Sequence, residues 1–399
     1  EQAWRLERDF FYNPKMNGVD WKAVRAAYEP LVSRCRCRED LNYVIGEVQG
    51  ELGNSHTYVG GGDVQRNGSV PVGLLGVDFG LDAASGRYVF KRIYPGDNSR
   101  EETRSPLTEP GIDVRQGSFL LAVDGVPLRA PTNPYSLFVN TLGRTVRLTV
   151  ADSPTGPSRT VTVKPIANEL EIRLRAWIEA NRRKVSEASG GKLGYIYLSD
   201  MEEQGMDQFI RQFYPQVRKQ GMVIDVRYNG GGFIDQIVLE RLRRVLVGME
   251  TTRQGMPSPI PGELIHGPLA CLANHYSASD GDIFPFYFKK YGLGPVIGTR
   301  TWGGVRGIRG EWKLMDGGYI TVPEFSLYGL KSQWVLENHG VEPDITVDDL
   351  PGDVLAGRDA QLERAIRYLL DKIEANPPVF PRRPPLIPAY PPEGMPTGE

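Results

Sequence analysis

Apolar positions recur at helical spacing through residues 1–52, as in "WKAVRAAYEPLV" and "DLNYVIGEVQGEL", with Asp20 and Asp40 placed to cap helices and Gly53 to stop the last one. From about Val70 to Lys164 the pattern changes to short runs that alternate or stay apolar, "RYVFKRIY", "SFLLAVDG", "TVRLTV" and "RTVTV", separated by Gly, Pro and Asp-Gly turns. These predict a small β domain with one helix near 133–142. Residues 166–185 return to amphipathic helical spacing and end before Gly190-Gly191. Beyond them strand-like runs ("KLGYIYL", "GMVIDVRYN", "GPLACLAN", "GPVIGTR", "GYITVPEFSLY") alternate with helical segments near 204–219, 233–247 and 279–291. That βαβα cadence predicts helices packed on a largely parallel sheet. The last 23 residues hold nine prolines and read as an extended or disordered tail.

This divides the chain into a helical module (1–69), a β domain (70–165), an α/β domain (166–376) and a Pro-rich tail (377–399), a multidomain α+β protein. A length of 399 residues supports two or three cores. Hydrophobic content of 40%, charged content of 24% and a net charge of −2 give no global field that would attract nucleic acid. No apolar run is long enough to span a bilayer and no signal segment opens the chain. Three cysteines, Cys35, Cys37 and Cys271, form neither a disulfide framework nor a zinc site, which fits a reducing cytoplasm. The expectation is a cytoplasmic protein with no metal or organic cofactor, no nucleic-acid partner and no membrane. The chain begins without Met, so it reads as processed or cut from something longer.

A Gly-Leu-Leu-Gly loop in "VPVGLLGVDFG" ahead of the β runs resembles a PDZ domain, a fold that adds a peptide strand to its sheet and holds the peptide carboxylate on loop N–H groups. The alternative is a small β domain with a glycine turn. In "IDVRYNGGGF" three glycines between a strand and a helix turn the backbone sharply and aim its N–H groups into one concavity. Neither a P-loop nor a dinucleotide fingerprint fits it. One strand and one helix later, "NHYSASDGDIF" meets another strand-to-helix turn, where Ser279 is either the N-cap of the helix or a presented nucleophile. Two such turns and a hydroxyl supply the parts of an acyl-transfer site. Of the four histidines, His56 stands in a loop between hydroxyl residues, whereas His266, His275 and His339 carry no comparable signal.

Together "GELGNSHTYVGGG", "VIDVRYNGGGFIDQ", "SASDGDIF", "GTRTWGGVRGI" and "LENHGVEPDI" resemble the tricorn protease family of cytosolic serine peptidases, related to carboxyl-terminal processing proteases, over nearly the whole chain. The resemblance implies a helical module, a PDZ domain and a crotonase-like α/β catalytic domain. It places the nucleophile on Ser279, the general base on His56, the linking serine on Ser55 and the acid on Glu337, with the Gly232 and Asp280 amides as the oxyanion hole. It also places an acidic pocket residue, supplied in the family by a neighbouring subunit, on Glu250, where an Asp would match. The related processing proteases use a lysine base, and "GTRTWGGVRG" contains none. Large β-propellers that precede the helical module in the family have no counterpart here. The implied function is a serine endopeptidase acting on short or unfolded peptides downstream of larger proteases, in a ring-like homo-oligomer such as a hexamer. Two rivals remain at this point: a catalytically inactive PDZ-type peptide binder and a crotonase-like acyl-CoA enzyme.

Overall fold

The structure, a computed structural model, describes residues 1–65, 68–101 and 103–385. It forms two compact units, one of Gln65–Arg183 and one that joins Glu1–Val64 to the chain from Lys184 onward. The latter opens with helices α1 (Gln2–Phe10), α2 (Trp21–Val32) and α3 (Arg38–Gly50), followed by strand β1 (Val59–Gly61). Asp20 caps α2 as expected, accepting the Lys22 and Ala23 amides at 3.1 and 3.0 Å. Asp40 does not cap: it lies inside the first turn of α3 and accepts the Arg36 amide at 2.8 Å. Helices this short cannot bury their apolar faces by themselves. Trp4, Phe11, Trp21 and Leu52 therefore share a core with Ile320 and Val322, so these helices complete the unit that carries the α/β sheet.

The Gln65–Arg183 unit holds β2 (Val77–Asp82), β3 (Arg87–Ile93), β4 (Phe119–Val123), β5 (Val126–Pro127), β6 (Val146–Ala151) and β7 (Ser158–Val163). They pair antiparallel in the order β2-β3-β4-β6-β7, with β5 on β4, over a core that includes Phe90, Leu120 and Leu148. The helix expected near 133–142 is a 3₁₀ turn, Pro134–Phe138, opened by the Asn133 side chain on the Tyr135 amide. The Gly-Leu-Leu-Gly loop spends its amides inside the domain. Gly73 and Leu74 donate to the Phe138 and Ile166 carbonyls, and Gly76 to the Glu169 carboxylate at 2.7 Å. Helix α4 (Leu170–Ala188) begins in this unit, with Ile172 and Ala176 packed on Tyr94, so the compact unit runs past the boundary read at 165.

The remaining elements are β8 (Leu193–Tyr197), α5 (Glu203–Phe213), β9 (Gly221–Asp225), α6 (Asp235–Leu242), β10 (Gly248–Glu250), β11 (Ser258–Ile260), β12 (Leu269–Ala273), α7 (Asp280–Lys290), β13 (Val296–Gly298), β14 (Glu311–Lys313), β15 (Gly318–Thr321), β16 (Ile345–Thr346), α8 (Pro351–Leu355) and α9 (Ala360–Ala375). Strands β16-β13-β12-β9-β8 form a sheet parallel throughout, buried between helices and rich in Val, Ile and Leu, as two-sided burial requires. Helix α5 stops short of 219 because Pro215, in the 3₁₀ turn Tyr214–Gln216, has no amide to continue the ladder. Strand β15 does not join the parallel sheet; it pairs antiparallel with β14 and, through Val59↔Ile320 and Gly61↔Gly318, with β1. No helix among the described residues is long and apolar enough to cross a membrane. Of the Pro-rich tail, residues 377–385 have no regular secondary structure, and 386–399 lie outside the described residues.

Candidate active site

Strands β9 and β12 are parallel neighbours, so the turns leaving their C-terminal ends emerge side by side, where open α/β sheets bind ligands. The glycine turn after β9 and the Ser279 turn after β12 are stitched together: Ala278 donates to the Asn229 carbonyl at 2.9 Å, and the Ser277 hydroxyl to the Val226 carbonyl at 2.8 Å. Gly231 is pressed on Ser279. A Cβ there would stand 2.5 Å from the Ser279 Cβ and 3.0 Å from its Oγ, so only glycine fits.

Ser279 occupies the N-cap position of α7, yet its side chain makes no capping bond and its backbone is strained at φ 56°, ψ −117°. A left-handed non-glycine residue on a sharp strand-to-helix turn lifts its hydroxyl out of the surface, the geometry of a nucleophile elbow. Gly232, at φ 143°, forms a parallel bridge to Met201 in which the carbonyl of Gly231 and the amide of Phe233 bond Met201. The Gly232 amide therefore turns to the other side. Among the described residues neither it nor the Asp280 amide has an acceptor.

The pairing of β1 with β15 delivers the His56 loop. Thr321 at the end of β15 donates its hydroxyl to the His56 carbonyl at 2.5 Å and accepts the Tyr58 amide at 2.8 Å. His56 is 9% exposed and itself strained, at φ 60°. Its Nδ1 stands 2.9 Å from the Ser55 hydroxyl, which lies 3.2 Å from Glu337 Oε2. Glu337 is held in turn by the amides of Ser55, Val305 and Arg306 at 2.7, 2.8 and 3.1 Å. One hydroxyl has one proton. If Ser55 donates to the carboxylate, it must accept from Nδ1–H, which leaves Nε2 of a neutral imidazole as a lone-pair acceptor. Burial lowers the His56 pKa from its ordinary value, and the Glu337 charge opposes this in part.

Sequence reasoning quoted the segment "GTRTWGGVRGI" but assigned no role to Trp302 in it, or to Asp282, which together join the histidine to the serine turn. The Trp302 ring meets His56 edge-on at 5.7 Å, and its amide donates to the Ser277 carbonyl at 3.0 Å. Asp282 holds the same segment through the Gly303 amide at 2.8 Å, and burial pushes its carboxyl up to about 6. Its place three residues after an N-cap serine was the available signal. Asp280 and Asp235 lie together at the starts of α7 and α6, and burial with mutual repulsion raises the Asp280 carboxyl; burial raises that of Asp235. Ser55 is thus hydrogen-bonded both to His56 and to Glu337, and Gly232, Ser279 and Asp280 lie on the turns that leave the C-terminal ends of β9 and β12. Ser279 Oγ is not hydrogen-bonded to His56. Glu250 is exposed on the β10–β11 hairpin, opposite Ser258, with no bond to the cluster. Of the other histidines, His275 and His339 are exposed, and the His266 ring rests near Phe380.

Three family profiles match the chain: Peptidase family S41 over residues 192–347, the Tricorn protease PDZ domain over 73–168 and the Tricorn protease C1 domain over 1–50. Tricorn protease homolog 1 of Streptomyces coelicolor is 40% identical across 97% of this chain and 36% of its own length. The Tricorn protease of Thermoplasma acidophilum is 38% identical across 96% of this chain and 36% of its own. A crystal structure of the tricorn protease superposes with a TM-score of 0.88 at 38% identity, over 94% of this chain and 36% of that one. The chain thus spans just over a third of the length of these relatives.

Proposed function

The chain belongs to the tricorn protease family, and within it we propose a serine peptidase that hydrolyses short or unfolded peptides through an acyl-enzyme. In this reading the Ser279 hydroxyl attacks the peptide carbonyl as Nε2 of His56 takes its proton. Ser55 relays the orienting charge of Glu337 to Nδ1 and so favours the imidazolium that forms. The amides of Gly232 and Asp280 receive the oxyanion. The imidazolium then protonates the leaving amine, and water repeats the sequence on the ester. The observation that carries the reading is the Glu337–Ser55–His56 hydrogen-bond chain, set in one unit with an uncapped, strained Ser279.

The proposal extends to a cytoplasmic role on products of larger proteases, in a ring-like homo-oligomer. There Glu250, exposed on its hairpin, would serve the pocket of a neighbouring copy and favour basic side chains. The test is covalent labelling with a fluorophosphonate together with peptide hydrolysis. The parent protein is expected to be labelled on Ser279, and Ser279→Ala to lose labelling and at least about 10⁴-fold in kcat while keeping its thermal transition. A folded parent that takes no label would leave an inactive peptide binder; equal labelling of Ser279→Ala would remove the nucleophile from that position.

A further inference from the structure

The bonds that hold the His56 loop lead back to one buried pair of side chains, Glu7 on α1 and Gln49 on α3, 0% and 1% exposed. Gln49 Nε2 donates to Glu7 Oε1 at 2.7 Å and to the Thr321 carbonyl at 2.9 Å, which uses both hydrogens of the amide. Flipping the amide would set its oxygen against both of those acceptors, so its orientation is fixed. Two oxygens are left over, Glu7 Oε2 and Gln49 Oε1. Both are shut off from solvent and have no hydrogen-bond partner among the described residues. They belong to one bonded carboxyl–amide pair. A carboxylate would leave both unsatisfied, one of them charged, whereas a single proton on Oε2 satisfies the two together.

We propose that Glu7 is a neutral carboxylic acid closing a two-bond ring with Gln49, its Oε2–H donating to Gln49 Oε1, and that this ring positions the His56 loop through Thr321. Thr321 is the link. Its carbonyl takes the second Gln49 hydrogen, its hydroxyl donates to the His56 carbonyl at 2.5 Å, and that hydroxyl accepts the Tyr58 amide at 2.8 Å. Glu7 is thus a positioning residue, remote from the reacting atoms, and its effect on hydrolysis rests on the reading of His56 as the base.

Among the described residues no cation pairs with Glu7 to hold it ionised. On its own helix Arg8 pairs with Asp9; on α2 Arg25 pairs with Glu1 and Glu29; on α3 Arg38 pairs with Asp316 of the β14–β15 turn. Glu324, which follows β15 and pairs with Arg309, adds a negative charge that opposes ionisation. Burial is the larger influence, the Gln49 bond works against it, and the carboxyl is raised to about 7. Its contribution to stability is therefore complete below the ordinary 4.5 and is lost as pH rises to about 7.

The full chain is compared with Glu7→Gln, whose amide can accept from Gln49 Nε2 and donate to Gln49 Oε1 without titrating. In protein labelled with carbon-13 at the glutamate carboxyls, subtracting the variant's spectrum is expected to leave one protonated carboxyl at pH 6 that ionises near 7. The unfolding constant of the parent relative to Glu7→Gln is expected to rise by nearly tenfold per pH unit from 4.5 to about 7, then level off. The His56 ring nitrogens, followed by nitrogen-15 resonance, are expected to report the same ionisation in the parent and to lose it in Glu7→Gln. In hydrolysis, Glu7→Gln is expected to match the parent kcat within about twofold at pH 6 and to exceed it at least about threefold at pH 8.5, while Glu7→Ala loses about tenfold at both. A Glu7 carboxylate already ionised at pH 6, a stability ratio flat in pH, or a Glu7→Gln protein less stable than the parent at pH 8 overturns the ring. His56 resonances blind to the ionisation of Glu7 overturn its positioning role. A parent with no hydrolysis at all counts instead against the peptidase reading, and the carboxyl signal and the His56 resonances still decide the ring.

Discussion

His56 carries an imidazole whose proton affinity is pulled in two directions. Burial disfavours the cation and is the larger influence; the Glu337 carboxylate favours it and is the smaller. The net shift is downward, so the neutral base persists to a pH below 6.5, and the acid limb of kcat/KM is expected below the ordinary histidine range. Glu337→Gln removes the favourable charge. It should drive the acid limb to still lower pH while kcat falls by about 10² to 10⁴-fold. Profiles of rate against pH for both proteins, on one short peptide, decide this; a limb that stays in place or rises in the variant would mean that Glu337 does not reach the imidazole electrostatically. His56 was legible in the sequence as a loop histidine between hydroxyl residues. Its partners were less so, because the bonds from Glu337 to Ser55 span 282 positions and Trp302 reaches the ring by packing alone, which leaves no local spacing to read.

Helices α6 and α7 start beside each other, and the carboxyls of Asp235 and Asp280 meet there with the Asp235 amide 3.4 Å from Asp280 Oδ2. The arrangement caps α6 but sets two acids in a buried place, so both hold protons more tightly than in the unfolded chain. A carboxyl with a raised folded pKa contributes stability at acid pH that is lost as pH rises through the folded value. Asp235→Asn ends the repulsion. Its thermal stability relative to the parent should improve by about 1 kcal/mol between pH 6 and pH 9, as read from paired melts. A difference that does not change with pH would show that the pair does not titrate in this window. The parallel strands around these helices were legible because burial on both faces demands continuous apolar runs. Strand β15 was not: "GYITV" reads like the others, and only its antiparallel partners β14 and β1 distinguish it. The 3₁₀ turn at Pro134–Phe138 escaped for a similar reason, since one turn of apolar spacing cannot fix helix type.

Two distant parts of the chain are needed before the candidate relay exists at all. The histidine stands in the loop just ahead of β1, whose register on β15 runs Val59↔Ile320 to Gly61↔Gly318, while Glu337 lies beyond β15 and Ser279 well before it. What holds β1 there is the shared core: Trp4, Phe11 and Trp21 cover Ile320 and Val322, and the Trp4 and Trp21 indoles each donate to the other residue's carbonyl at 2.7 and 3.0 Å. Helices α1 to α3 span 9, 12 and 13 residues, lengths at which an isolated helix is marginal in water. Residues 1–64 made alone should therefore show little helical circular dichroism. Mixed with a separately produced chain from residue 65 onward, they should gain helicity and return peptide hydrolysis to a mixture whose parts have none. Helicity already complete in the isolated fragment would mean that these helices carry their own core. Hydrolysis by the chain from residue 65 onward on its own would place the general base outside the first 64 residues.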